Sequence, residues 1–236
     1  KHIEKVKIYK IEQYMMLDSA SRRSLEITET MRDSKKKGSL LWVLDKTSTS
    51  MGGRKLRQWI EQPLLDVDEI NLRLDAVAEL KESFMVRNEL MELLRGVYDI
   101  ERLTSKLVFS TVNARDLLAI NSSLSKLPYI KELIKDLKAD YNRQLYERLD
   151  LLEDICALID AAINEDPPLS VKEGGIIKDG YDQLVDEYRH ASTEGKAWIS
   201  ELEARERERT GIKSLKIRYN DNFGYYIEVT KANIGQ

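Results

Sequence analysis

The stretch that most restricts what this chain can become is Tyr181 to Arg209, because the chain changes period immediately after it. Tyr181, Leu184, Val185, Tyr188, Ala191, Trp198, Ile199 and Leu202 recur at three- and four-residue intervals. That is the stripe of an amphipathic helix, and it predicts a packed seam along most of its length. Beyond Leu202 only Ala204 interrupts the charges. A helix of about 29 residues spans roughly 43 Å, more than the radius of a bundle this size, so its far end is expected to project. Thr210-Gly211 ends it. From Ser214 to Tyr219 the pattern alternates, with Leu215, Ile217 and Tyr219 on one side and Ser214, Lys216 and Arg218 on the other. Asn220-Asp221-Asn222-Phe223-Gly224 supplies turn residues, and Tyr225 to Thr230 reads as a second strand. Two strands alone are marginal in water, so this hairpin needs a partner.

Upstream, the 4 prolines and 11 glycines fall at boundaries rather than inside periodic segments, the mark of a mainly helical chain. Lys5 to Tyr9 alternates and reads as a short strand or linker, and Tyr14 to Ile27 as helix to loop. Lys35-Lys36-Lys37-Gly38 reads as a solvated turn in preference to a phosphate site, and Ser39 to Leu44 returns to the core. Helices are predicted from Thr47 to Ile60, with Met51, Leu56, Trp59 and Ile60 inward, and after a cap at Asp66 or Asp68, with Ile70, Leu74, Val77 and Leu80 inward. Another runs through Leu90, Leu93 and Leu94 to Gly96. Asp99 caps Ile100 to Leu103, and Asn113 caps a helix reaching Leu127-Pro128. Tyr129 to Leu137 and Gln144 to Ile163 complete the set before Asp166-Pro167-Pro168. Short connections between so many helices give a mainly α fold: a multi-helix core bundle with one long projecting helix ending in a small β-hairpin.

At 42% hydrophobic residues over 236 positions, the chain can bury a core. Its net charge of -3 gives no global attraction to polyanions, so such binding must come from local patches. Cys156, alone, excludes an internal disulfide, fits a reducing compartment and reads as a small core residue. No apolar run approaches the roughly 18 residues of a membrane span and no signal peptide is present, so a soluble, cytoplasmic protein is expected, with no membrane partner. A start at Lys1 and a stop just after a strand read as a piece of something longer.

Catalytic chemistry finds little material. His2 and His190 lie far apart without flanking ligands, so no metal site is nominated. Glu201, Glu203, Glu206 and Glu208 alternate with arginines at ion-pairing intervals. Neither G-x-x-x-x-G-K-[ST] nor G-x-G-x-x-G occurs. Gly52-Gly53 and Gly174-Gly175 read as a helix packing contact and a turn. No catalytic residue is nominated. The tip is richer: Arg209, Lys213, Lys216 and Arg218 follow one another with no acidic residue among them. Lys216 and Arg218 share a side, and Asn220 and Asn222 can donate from the turn. These groups suit phosphate contacts, which position a protein on a duplex without reading its sequence. A solvated hairpin whose lysines guard its edges accounts for the same residues equally well.

A set of motifs resembles the MutS family of DNA mismatch-recognition ATPases, in the family's order over essentially the whole chain. They are Leu44 to Arg57 (LDKTSTSMGGRKLR), Gln62-Pro63-Leu64, Ile70 to Val77, Asp99 to Leu103 (DIERL), Ala114 to Leu117, Glu173 to Asp182, Glu206 to Ile212 and Phe223 to Val229. The resemblance implies that residues 1–13 end a connector, 14–209 form a helical core and lever, and 210–236 are the first, incomplete part of a clamp that holds the backbone of double-stranded DNA. It carries Lys213, Lys216, Asn220, Tyr225 and Tyr226 over as clamp positions. Lys213, Lys216, Asn220 and Asn222 are the expected phosphate contacts, with one tyrosine face packing instead, and strand alternation adds Arg218. It also implies a homodimeric parent protein, nucleoid-associated when on DNA, whose ATPase domain uses ATP and magnesium and whose mismatch-reading domain is separate. This stretch carries neither set of motifs, so it is expected to be no enzyme and to hold no cofactor by itself. The competing reading is a helical protein-interaction or dimerisation scaffold without direct DNA contact.

Overall fold

A computed structural model describes residues 13–220, 222 and 224–231. His2, the alternating Lys5 to Tyr9, nearly all of the segment 1–13, and the turn residues Asp221 and Phe223 lie outside the described residues. Among the described residues the fold is mainly α with one small antiparallel sheet, and the chain divides into two compact units, Lys1–Ile176 and Ile177–Gln236.

The first unit holds α1 (Ser19–Ser24), α2 (Leu40–Leu44), α3 (Ser50–Glu61), α4 (Val67–Glu82), α5 (Phe84–Arg95), α6 (Ile100–Val108), α7 (Ala114–Leu124), α8 (Leu127–Ile134), α9 (Asp140–Arg148) and α10 (Glu153–Ala162). Side-chain oxygens of Asp18, Ser39, Thr49, Asp66, Asp99 and Asn113 accept from first-turn N–H groups of α1, α2, α3, α4, α6 and α7. Each such cap contributes about 1 kcal/mol by satisfying a donor the helix cannot. Asn113 and Asp116 form a reciprocal capping box. Gly96 closes α5. The predicted start at Thr47 moves to Ser50, because Thr49 is the cap and Thr47 turns back on Asp45 through N–H and hydroxyl bonds of 3.3 and 2.7 Å.

Two expectations for this unit are corrected. Gln144 to Ile163 is not one helix: Leu152 takes a left-handed backbone at φ 52° and donates its N–H to Asp150 at 3.1 Å, separating α9 from α10. Leu145, Leu149, Leu152 and Ile155 keep helical spacing straight through the break, so periodicity gave no sign of it. In α4, Leu74 and Val77 face solvent at 57% and 60% exposure, while Ala76 is buried at 5%. Apolar residues surround this helix on several faces, and the face chosen is the one that α9 closes: Asn142 Nδ2 donates to the Ala76 carbonyl at 3.3 Å.

Contacts join α4 to α5 and α9, α8 to α5 and α9, and α7 to α6 and α10. Ile120, Leu124, Ile130, Ile134, Ile159 and Ile163 fill the interior. Buried Ser123 donates to the Ala119 carbonyl at 2.8 Å and accepts from Tyr98 N–H at 3.0 Å, so its hydroxyl is satisfied. Half-buried Glu79 accepts from Ala139 N–H at 3.0 Å, from Asn142 Nδ2 at 2.9 Å and from Lys138 N–H, tying α4 to the start of α9. Separate motifs of the sequence meet here. Arg54 of α3 holds Asp99 through two bonds of 2.7 Å and Glu101 through bonds of 2.6 and 3.1 Å, and Lys106 reaches Asp116 at 2.7 Å. Cys156, in α10, is half-buried, and burial pushes its thiol up.

The second unit is α11 (Gln183–Thr210) with β1 (Lys216–Asn220) and β2 (Gly224–Glu228). Asp182 caps α11 by accepting from Val185 N–H at 3.0 Å, and Gly211 ends it at φ 72°, a left-handed backbone that favours glycine. The predicted limits hold to within about two residues. The expected packed seam does not: α11 has no buried residue, and Tyr188 and Trp198 are 67% and 61% exposed. Among the described residues, no helix is long and apolar enough to cross a membrane.

Candidate nucleic-acid interface

The hairpin's register sorts its side chains. Lys216 pairs with Glu228, Arg218 with Tyr226 and Asn220 with Gly224, while Ile217 pairs with Ile227 and Tyr219 with Tyr225. Because side chains alternate, Lys216, Arg218, Asn220, Tyr226 and Glu228 share one face and Ile217, Tyr219, Tyr225 and Ile227 the other. Tyr219 and Tyr225 meet edge to face, with centroids 5.1 Å apart, a geometry worth roughly 0.5–1.5 kcal/mol beyond the area it buries. Gly224, at φ 72°, turns the chain into β2.

The partner the hairpin needs is the end of α11. Glu203 accepts the Ile217 N–H at 2.8 Å and pairs with Arg207 at 2.5 Å, and Arg207 Nε donates to the Leu215 carbonyl at 2.7 Å. Leu215 and Ile212 are buried beneath the junction, at 3% and 7% exposure. The Ser214 and Thr230 hydroxyls lie 3.1 Å apart at the hairpin's base. Ile217 and Tyr225 line an apolar groove with Ala191, Trp198, Ile199 and Leu202 of α11. Of the ion pairing expected along the helix, Glu203–Arg207 and Glu206–Arg209 form, and the first pair has a second role: Glu203 and Arg207 fasten β1. A sequence pattern cannot distinguish a helix-surface pair from one that also reaches a strand 8 to 14 residues on.

The four cations between Arg209 and Arg218 separate into two kinds. Arg209 turns back to Glu206 at 2.7 Å, and that hydrogen bond raises its pKa. Arg218 Nε lies 2.7 Å from Glu228 Oε2, with both side chains about half exposed. Lys213 and Lys216 are exposed, and among the described residues neither has a carboxylate within ion-pair distance. Asn220 Oδ1 accepts from Asn222 N–H at 2.8 Å, which organises the turn and leaves the Asn220 amide nitrogen as an outward donor. Asn222 is exposed beside it. Lys216, Arg218 and Asn220 are therefore together on one face, Asn222 is at its tip, and Lys213 precedes the strand. Glu228 on that face was not singled out from sequence, although its place follows once the turn fixes the register. Among the described residues, no group of three His, Cys, Asp or Glu could hold a metal ion.

A capped helical bundle, and a long helix bearing a small hairpin with Lys216 and Arg218 on one face, define the class structurally. A family model described as MutS domain III matches residues 20–228, and the chain belongs to that family. It is similar to the DNA mismatch repair protein MutS of Acetivibrio thermocellus, at 59% identity over 100% of this chain and 27% of that protein. It is 60% identical to the MutS of Ruminiclostridium cellulolyticum over 98% of this chain and 26% of that protein. The MutS of Bacillus subtilis is 51% identical over 99% of the chain and 27% of its own length. The chain thus spans about a quarter of the length of these curated relatives. What matches is domain III.

Proposed function

We propose that the chain serves DNA mismatch repair, with its hairpin gripping the backbone of double-stranded DNA irrespective of sequence and its helices carrying that engagement to a distant ATPase domain. The observation that carries this reading is the pair Lys213 and Lys216, exposed and without a carboxylate partner among the described residues, beside Arg218, Asn220 and Asn222. Cations and amide donors on a short strand match phosphates, contacts that position a protein without reading bases. The name shared by the relatives supplies the repair context. In this reading residues 14–209 are core and lever, residues 210–236 begin the clamp, and the protein acts as a homodimer whose other domains read the mismatch and bind ATP and magnesium. The Glu203–Arg207 fastening suits a lever, since it makes the hairpin follow the end of α11.

Duplex binding by the protein at its full natural length, titrated against salt, tests this. Each of Lys213→Gln and Lys216→Gln should flatten the slope of log affinity against log salt by about 0.9. Unchanged slopes would remove the phosphate assignment. The exposed seam of α11, with Tyr188 and Trp198 outward, favours a second reading as an interaction scaffold. In that case Tyr188→Ser and Trp198→Ser would abolish self-association in sedimentation while leaving the salt slopes untouched.

A further inference from the structure

We propose that Glu228 is a built-in competitor for phosphate, which masks Arg218 on the basic face of the hairpin and limits how tightly the clamp holds DNA. This rests on the reading of the hairpin as a backbone-binding surface. The register places Glu228 directly opposite Lys216 and one diagonal step from Arg218, on the same face as both. Its Oε2 lies 2.7 Å from Arg218 Nε, while both side chains keep about half their surface in water. A carboxylate there occupies the guanidinium edge that a phosphate oxygen would otherwise take, and its charge opposes any phosphate approaching Lys216. Exposed pairs of this kind are weakly held, so a phosphate can displace the carboxylate, and each displacement subtracts from the binding gained. Lys213 and Lys216 then supply most of the salt-dependent attraction, and Arg218 contributes only after its partner is released.

The test is a double-mutant cycle on the full-length protein with a fully paired duplex of arbitrary sequence. Glu228→Gln keeps the size and polarity of the side chain, so the hairpin's packing is preserved. It should tighten binding at low salt by roughly two- to fivefold and steepen the salt slope by about one unit. Arg218→Gln should weaken binding less in the parent protein than in the Glu228→Gln background, where it should cancel the gain. If Arg218→Gln weakens binding equally with and without Glu228, or if Glu228→Gln leaves affinity unchanged, the masking role is overturned. Failure of the underlying interface looks different: Lys213→Gln and Lys216→Gln would then also leave the slope unmoved.

Discussion

At the scale of single residues, Glu79 shows how a carboxylate on one helix can specify the start of another. Burial pushes its carboxyl up, but the hydrogen bonds from Lys138 N–H, Asn142 and Ala139 N–H outweigh burial and hold it below its ordinary value. A carboxyl lowered in the folded state stabilises above its unfolded pKa, and loses that contribution as pH falls through the folded value. Glu79→Ala leaves two backbone donors and a buried amide short of their acceptor. It should cost on the order of 2 kcal/mol at neutral pH in urea denaturation, with the gap from the parent closing as the pH drops below about 4. Asp45 obeys the same sign: its hydrogen bonds from Lys36 and Thr47 hold its pKa down to about 2. Lys36→Met should therefore lower stability at neutral pH, and the deficit should disappear as the medium is acidified from about pH 4 towards 2, which acid titration of the helical signal would follow.

At the scale of elements, α11 has one glycine inside it and another just past its end, with opposite requirements. Gly195 sits inside the helix, and an added Cβ would meet nothing within 4 Å. Gly195→Ala should therefore stabilise the helix by about 1 kcal/mol. Gly211 also has open space, but its φ of 72° is a conformation that L side chains rarely adopt, so Gly211→Ala should cost about 1 kcal/mol through the backbone alone. Thermal unfolding followed by far-UV circular dichroism should move in opposite directions for the two. The contrast also explains what could be read from sequence. Caps and stops such as Asp99, Asn113, Gly96 and Gly211 act within four residues of themselves and are visible in the sequence, which leaves Asp66 and Asp68 as alternatives for the cap that Asp66 supplies. The exposure of Leu74 and Val77 depends on α9, more than sixty residues along the chain, and the reach of Glu203 to Ile217 crosses from helix to strand. The left-handed turn at Leu152 interrupts a spacing that continues through it, so residue order does not show these features without a fold. At the candidate interface, the alternation that places Lys216 with Arg218 was legible. The Arg218 partnership with Glu228 needed the register of a second strand.

For the whole molecule, the division between Lys1–Ile176 and Ile177–Gln236 lies just after the exposed stretch 169–175, where Gly174 and Gly175 take φ of 74° and 72°. Brief trypsin digestion should cut first after Lys172 and yield a fragment of the first unit that retains its helical signal, as mass spectrometry and circular dichroism would establish. A first cut within α3 to α10 would contradict a division at this point. The fastening of the hairpin to α11 has a further consequence, one of timing. Its two bonds link residues only 14 and 8 apart in the chain, and the strands they hold are consecutive. Closing loops of about ten residues takes on the order of 10–100 ns, and a hairpin forms in about 1–10 μs. Synthesis adds only about 5–20 residues each second, so the helix end and its hairpin are complete long before the ribosome has moved on by another residue.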